Sequence, residues 1–196
     1  MEKKHYKAIG FVTIRIVQRD LLRLFAQEQT FRKLYNSEES VDVLNSSAPF
    51  TFSIIQDVLR QELTFGITRT LIDPDNQNGN ENLGLETLVL RMPDENEDLL
   101  DRIKSLRKKY KPINNLRRKL RAHRDEPTAY DIEYRLNVEN WSVDDELIFE
   151  AIDDMRLLMK EIIGRLLNTN YEDEIEGLDA ENLIEILRSS SRDGAV

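Results

Sequence analysis

Cysteine is absent from this chain of 196 residues. Disulfide bridges and thiolate metal sites are therefore excluded, which fits a reducing compartment. The two histidines, His5 and His123, match no zinc spacing, and no Gly-rich phosphate loop or serine nucleophile elbow occurs. Glycine (7) and proline (5) are scarce, so few breaks interrupt regular structure, and the composition is that of a helix-rich globule. Long apolar runs are lacking too. The stretch at 8–17 carries Thr13 and Arg15, is too short to span a bilayer and has no small-residue cleavage site. The expectation is a cytoplasmic protein with no membrane partner and no cofactor. A formal net charge of −9 argues against generic polyanion binding.

One further absence is local. Between Arg102 and Arg124 there is no Asp or Glu, while eleven Lys and Arg crowd the same segment. That segment stands at +11 between flanks of −6 (1–101) and −14 (125–196). A cationic stripe confined in an acidic chain reads as a site for phosphate, and it holds His123.

Periodicity predicts an all-α protein, an antiparallel helical bundle with an extra C-terminal helix. Leu21, Leu22, Leu24, Phe25, Phe31, Leu34 and Tyr35 recur at helical spacing and stop at Asn36-Ser37. Ser40 is a candidate cap for a helix from Val41, with Pro49 near its end or at a kink. Phe52, Ile55, Val58, Leu59, Leu63, Ile67 and Leu71 predict a long amphipathic helix over 51–72, closed by Asp73-Pro74. A polar loop over 75–82 precedes a short helix at 83–90, and a further helix is expected over 95–110. Pro112 disfavours helical geometry at Lys111, so a break is expected there, with a new helix from Pro112 to about Arg124. The stretch 130–138 is weakly patterned; the most hydrophobic helix spans 143–167 and a short one lies near 180–187. The expected division is a bundle over 1–170 and an acidic appendage over 171–196 with a frayed end.

Within the stripe, Ile113, Leu116 and Leu120 share one apolar face of a straight helix. His123 falls roughly 20° from Leu116, while Arg117 and Arg118 lie roughly 120° and 140° from His123, Arg117 about 9 Å along the axis. Lys119 sits one turn before His123. A joint site is therefore awkward within one straight helix and easier if the helix is distorted at its start, or across a two-fold axis, where a second copy supplies the partner residue. Histidine exchanges a proton near neutral pH, and arginine grips phosphate through parallel hydrogen bonds. Together they suit metal-free RNA cleavage, in which the 2′-hydroxyl attacks the adjacent phosphorus. The bland alternative is a solvated basic face, or one that docks on the acidic C-terminal half. His5 is expected to lie in a mobile terminus. Asp73, Asp75 and Glu81 lack the spacing of a calcium hand and read as a solvated turn. Trp141 and the tyrosines read as core or interface anchors.

The string Arg117-Arg118-Lys119-x-x-Ala122-His123-Arg124-Asp125 resembles the signature of the HEPN superfamily, and more narrowly its abortive-infection AbiU-type branch. Segments upstream resemble that branch in the same order: Phe31-Arg32-Lys33-Leu34-Tyr35, Val41-Asp42-Val43-Leu44-Asn45, Ile67-Thr68-Arg69-Thr70-Leu71-Ile72-Asp73 and Asn82-Leu83-Gly84-Leu85. The resemblance covers roughly residues 20–165. It implies a helical bundle that commonly dimerises, with Arg and His of both copies lining one cleft, and a metal-independent ribonuclease of phage-defence or toxin type. Carried across, Arg117 is the phosphate-gripping arginine and His123 the catalytic histidine, with Arg118 in reserve. Lys119, Arg121, Arg124 and Asp125 contact RNA or support the site. Implied partners are RNA, a second copy, and an antitoxin or other defence protein. A small polar residue usually follows the motif arginine; here Arg118 stands in its place. A non-catalytic module binding RNA or a protein is the alternative.

Overall fold

The computed structural model of the chain describes residues 2–77, 80–92, 96–121, 143–167 and 180–193, with backbone alone at 2–11, 77, 80, 119–121, 167, 181 and 190–193. Among these residues the architecture is all-α. The helices are α1 (Glu2–Tyr35), α2 (Glu38–Ser47), α3 (Pro49–Ile67), α4 (Leu85–Leu90), α5 (Glu97–Lys109), α6 (Lys111–Arg121), α7 (Asp145–Leu167) and α8 (Ala180–Asp193). A π-helical turn, Thr68–Ile72, continues α3. A two-residue antiparallel ladder, Asn76–Gln77 with Asn80–Glu81, is the one strand pair among the described residues. The weakly patterned stretch 130–138 and Trp141 lie outside them.

The chain divides into two compact units. One comprises residues 1–21 and 64–172, the other 22–63 and 173–196, so α1 and α3 each contribute to both.

In the second unit, α1 ends at Tyr35 with Arg32 and Lys33 in its last turn, where cations favour the negative end of the helix dipole. Ser37 then caps α2. Its extended backbone (φ −128°, ψ 139°) lets its hydroxyl accept from the Ser40 N–H at 3.1 Å, and Glu38 and Glu39 occupy the first turn. The cap therefore falls three residues before Ser40, whose own hydroxyl is engaged with Ser37 Oγ. Ala48 closes α2 by donating to the Leu44 carbonyl and opens α3 by accepting from the Phe52 N–H. Pro49 lies near the end of α2, as expected, and takes the first position of α3, where its missing N–H costs nothing. Leu34, Leu44, Ala180 and Ile184 form a buried cluster joining α1, α2 and α8, with Tyr35, Phe52 and Leu187 packed against it. The Tyr35 hydroxyl donates to the Phe52 carbonyl at 2.8 Å, and Arg188 pairs with Glu39 at 2.9 Å.

In the first unit, α7 supplies the largest buried face. Ile148, Ile152, Met155, Met159, Ile162 and Ile163 are sealed, matching the 3.6-residue period of that segment. Asp144 caps α7, its carboxylate accepting from the Glu146 N–H at 3.1 Å. Helices α4 and α5 pack on α7, and α5 and α6 both reach the π turn. The break between α5 and α6 falls at Tyr110, two residues before Pro112, which has no N–H to extend α5. Tyr110 is fully buried, and its hydroxyl donates to Asp154 of α7 at 2.5 Å. Lys109 completes the tie, with Nζ 3.0 Å from Asp154 and 2.9 Å from Glu150. Burial, and then donation to Asp154, pushes the Tyr110 hydroxyl well above the usual phenol range. For Asp154, burial pushes the carboxyl up, yet the hydrogen bonds from Tyr110 and Lys109 outweigh it and hold the group below its ordinary range.

Candidate functional site

The site grows from the end of α3. Thr68 Oγ1 donates back to the Thr64 and Phe65 carbonyls, and the Asp73 N–H reaches the Thr68 carbonyl at 2.7 Å, five residues back. This is the π pattern, which is uncommon and concentrates at functional sites. Pro74 sets the direction in which the chain leaves. A residue before proline is pushed out of helical geometry, and Asp73 adopts ψ 131°. The turn thus ends with the carbonyl and carboxylate of Asp73 directed away from the helix ladder.

Two arginines receive them. Arg107 of α5 donates from Nε to the Leu71 carbonyl at 2.9 Å and from Nη2 to the Asp73 carbonyl at 2.9 Å, satisfying acceptors that a helix end leaves open. The same Nη2 lies 2.8 Å from Glu86 Oε2 of α4. Arg107 above all, helped by the Asp75 N–H at 2.8 Å, holds the Glu86 carboxyl below the usual carboxylate range against the opposing effect of burial. Arg117 of α6 meets Asp73 directly, Nη1 to Oδ1 at 2.5 Å, with side chains 16% and 17% exposed. With both side chains largely shielded from water, this charge-assisted pair holds the guanidinium better than an exposed surface pair would.

The loop between is closed on itself. Asn82 donates from its backbone to the Asp75 carbonyl and from Nδ2 to the Pro74 carbonyl. The Thr87 hydroxyl lies against Asp75 Oδ1 at 2.6 Å and the Asn82 carbonyl. Gly84 lies against the π turn so closely that a Cβ there would stand 2.7 Å from the Thr70 carbonyl oxygen. Only glycine lets backbone approach backbone in this way. Asp73 and Asp75 are accordingly not a solvated turn, as their sequence context predicts, but half-buried members of a polar knot. No group of three or more potential metal ligands occurs among the described residues.

The cations of the stripe sort into classes. Arg102 pairs with Glu161, Lys104 with Asp101, Arg107 with Glu86, Lys109 with Glu150 and Asp154, and Arg117 with Asp73. Lys108, Lys111 and Arg118 are exposed to solvent. Ile113 and Leu116 are buried, as the predicted apolar face requires. Lys119, Leu120 and Arg121 are described by their backbone alone, and His123, Arg124 and Asp125 lie outside the described residues. Of the expected site residues, the structure therefore locates the side chains of two. Arg117 is anchored and Arg118, its neighbour, faces water.

Sequence reasoning had no means of naming Arg107 and Glu86 as partners in this knot. It did single out the stretch ending at Asp73 and the stretch around Gly84 without knowing that they meet. Their approach to one another and to Arg117 gives those separate stretches one structural role.

A family model described as AbiU2 (HEPN_AbiU2) matches residues 3–186. No curated protein and no solved structure matches the chain.

Proposed function

The chain belongs to the AbiU2 family of HEPN proteins, and from that premise we propose that it is a metal-independent endoribonuclease of abortive-infection or toxin type. In this reading it works as a cytoplasmic homodimer on cellular or phage RNA, and a companion antitoxin or other defence protein restrains it. The observation that carries the reading is the anchored guanidinium of Arg117, held by Asp73 at 2.5 Å in the middle of the basic segment. Arg117 grips the scissile phosphate and stabilises charge on its non-bridging oxygens. His123 exchanges the proton as the 2′-oxygen attacks phosphorus and the bond to the 5′-oxygen breaks. The products are a 2′,3′-cyclic phosphate and a 5′-hydroxyl. Arg118 is the reserve arginine, and Lys119, Arg121, Arg124 and Asp125 hold the flanking RNA or support the site.

The test is total RNA incubated with the purified protein in the presence of a chelator. Wild type yields cyclic-phosphate ends, and His123→Ala loses about 10²–10⁴-fold in rate with its helical circular dichroism unchanged. Equal cleavage by the variant refutes the assignment.

One observation favours a second reading, a non-catalytic module that binds RNA or a protein. Arg118 stands where a small polar residue usually follows the motif arginine. Such a module would retard RNA in a salt-dependent manner without producing cyclic-phosphate ends.

A further inference from the structure

Asp73 lies 44 residues from Arg117 in sequence and outside the Arg–His string. Its backbone is held at both polar atoms, the N–H by the Thr68 carbonyl at 2.7 Å and the carbonyl by Arg107 Nη2 at 2.9 Å. Pro74 fixes its departure from the helix. Arg107 is in turn tied to Glu86 and to the Leu71 carbonyl. The backbone of Asp73 is thereby pinned, and its short side chain has only two torsions with which to follow a moving partner.

We propose that Asp73 is a positioning residue for Arg117, setting the guanidinium where it meets a phosphate of bound RNA. This inference rests on the ribonuclease reading given above. The contact geometry fits the role. A guanidinium offers five N–H donors in a rigid fork, and the contact with Asp73 runs through Nη1 alone. Among the described residues no other partner takes the remaining donors, which can meet two phosphate oxygens, and 16% of the Arg117 side chain stays open to solvent. Asp73 touches no reacting atom in this scheme. It removes the rotational freedom that a long arginine side chain would otherwise lose on binding.

A plain strut between α6 and the π turn would show the same ion pair, so the experiment must separate stability from turnover. Asp73→Asn keeps shape but removes charge. Asp73→Glu keeps charge but lengthens the arm by one methylene, shifting the guanidinium by about 1 Å, a displacement on the scale that costs about 100-fold in rate. Cleavage of a defined RNA oligonucleotide is measured for both variants and wild type at a temperature where thermal unfolding shows each to be folded. The expected result is a kcat lowered about 10- to 100-fold with KM within about threefold of wild type. Asp73→Glu also keeps the ion pair, and with it the fold, should Asp73→Asn not fold. A wild-type kcat in either folded variant overturns the proposal and leaves the pair as a strut. Wild-type protein that cuts no RNA overturns both this inference and the ribonuclease reading; active wild type with an undiminished folded Asp73 variant overturns this inference alone.

Discussion

Glu86 shows how one side chain couples three segments, since its carboxylate receives both the Arg107 guanidinium and the Asp75 N–H. Its folded carboxyl lies below its ordinary value near 4.5, chiefly through the Arg107 hydrogen bond. A lowered carboxyl favours the folded state above the unfolded value, and that contribution disappears as pH falls through the folded value. Glu86→Gln is therefore expected to be less stable than wild type at pH 7 by about 2 kcal/mol, the scale of a hydrogen bond to a charged group. In a chain of this size that is roughly 6 °C in unfolding midpoint. The difference should close as pH falls below the ordinary glutamate value and on through the lowered folded one, where wild type is protonated as well. A thermal-unfolding series across that range checks it, and a gap that persists at the acid end would show that charge is not the cause. The knot around Glu86 was not legible in the sequence for a definite reason. Arg107 and Glu86 are 21 residues apart, and Arg117 and Asp73 are 44 apart, on elements whose mutual placement no periodicity encodes.

Elements with one apolar face were legible, and those shaped by distant contacts were not. The spacing of Ile148, Ile152, Met155, Met159 and Ile162 is a direct image of burial, and α7 follows it almost residue for residue. Asp73-Pro74 correctly marked the end of the α3 segment. Its last turn is nevertheless π and not α, in a place where Gly84 crowds the Thr70 carbonyl and Arg107 draws on that of Leu71. At α2 the two serines 37 and 40 both satisfy the compositional rule, and only the extended backbone at Ser37 decides between them. The start of α1 was not legible because its first residues lack a clean stripe; the helix begins at Glu2 and takes in His5. Helix α8 runs to Asp193, beyond the predicted end near 187. It contributes Ala180 and Ile184 to the cluster with Leu34 and Leu44. Ile184→Ala is expected to cost about 2–4 kcal/mol and to speed amide hydrogen exchange in α2 as well as α8. Exchange that rises in α8 alone would show that the two helices are not energetically joined.

Across the whole molecule, net charge and local charge point in opposite directions, −9 overall against +11 in the central segment. Part of that local excess is consumed by the fold, because Arg102, Lys104, Arg107, Lys109 and Arg117 face internal carboxylates. Lys108, Lys111 and Arg118 are the described cations of that segment left to water. If RNA runs along this face, neutralising all three should lower the slope of log affinity against log salt by about 2, given about 0.7 counterions released per single-strand phosphate contact. Binding of an RNA methylated at its 2′-hydroxyls, which cannot be cut, gives the slope directly; an unchanged slope would place the nucleic acid elsewhere. The sequence made the stripe visible, yet it did not reveal which cations were spoken for, since that depends on α4, α7 and the π turn arriving opposite them.

The division of the chain has a consequence of another kind. Helices α1 and α3 each begin in one compact unit and finish in the other, and the second unit is assembled from two stretches separated by more than a hundred residues. No single cut releases either unit as an intact fragment, and gene shuffling at any one junction would sever a helix or strand half a core. Either unit could be obtained alone only by rejoining its two stretches in a new order of the chain.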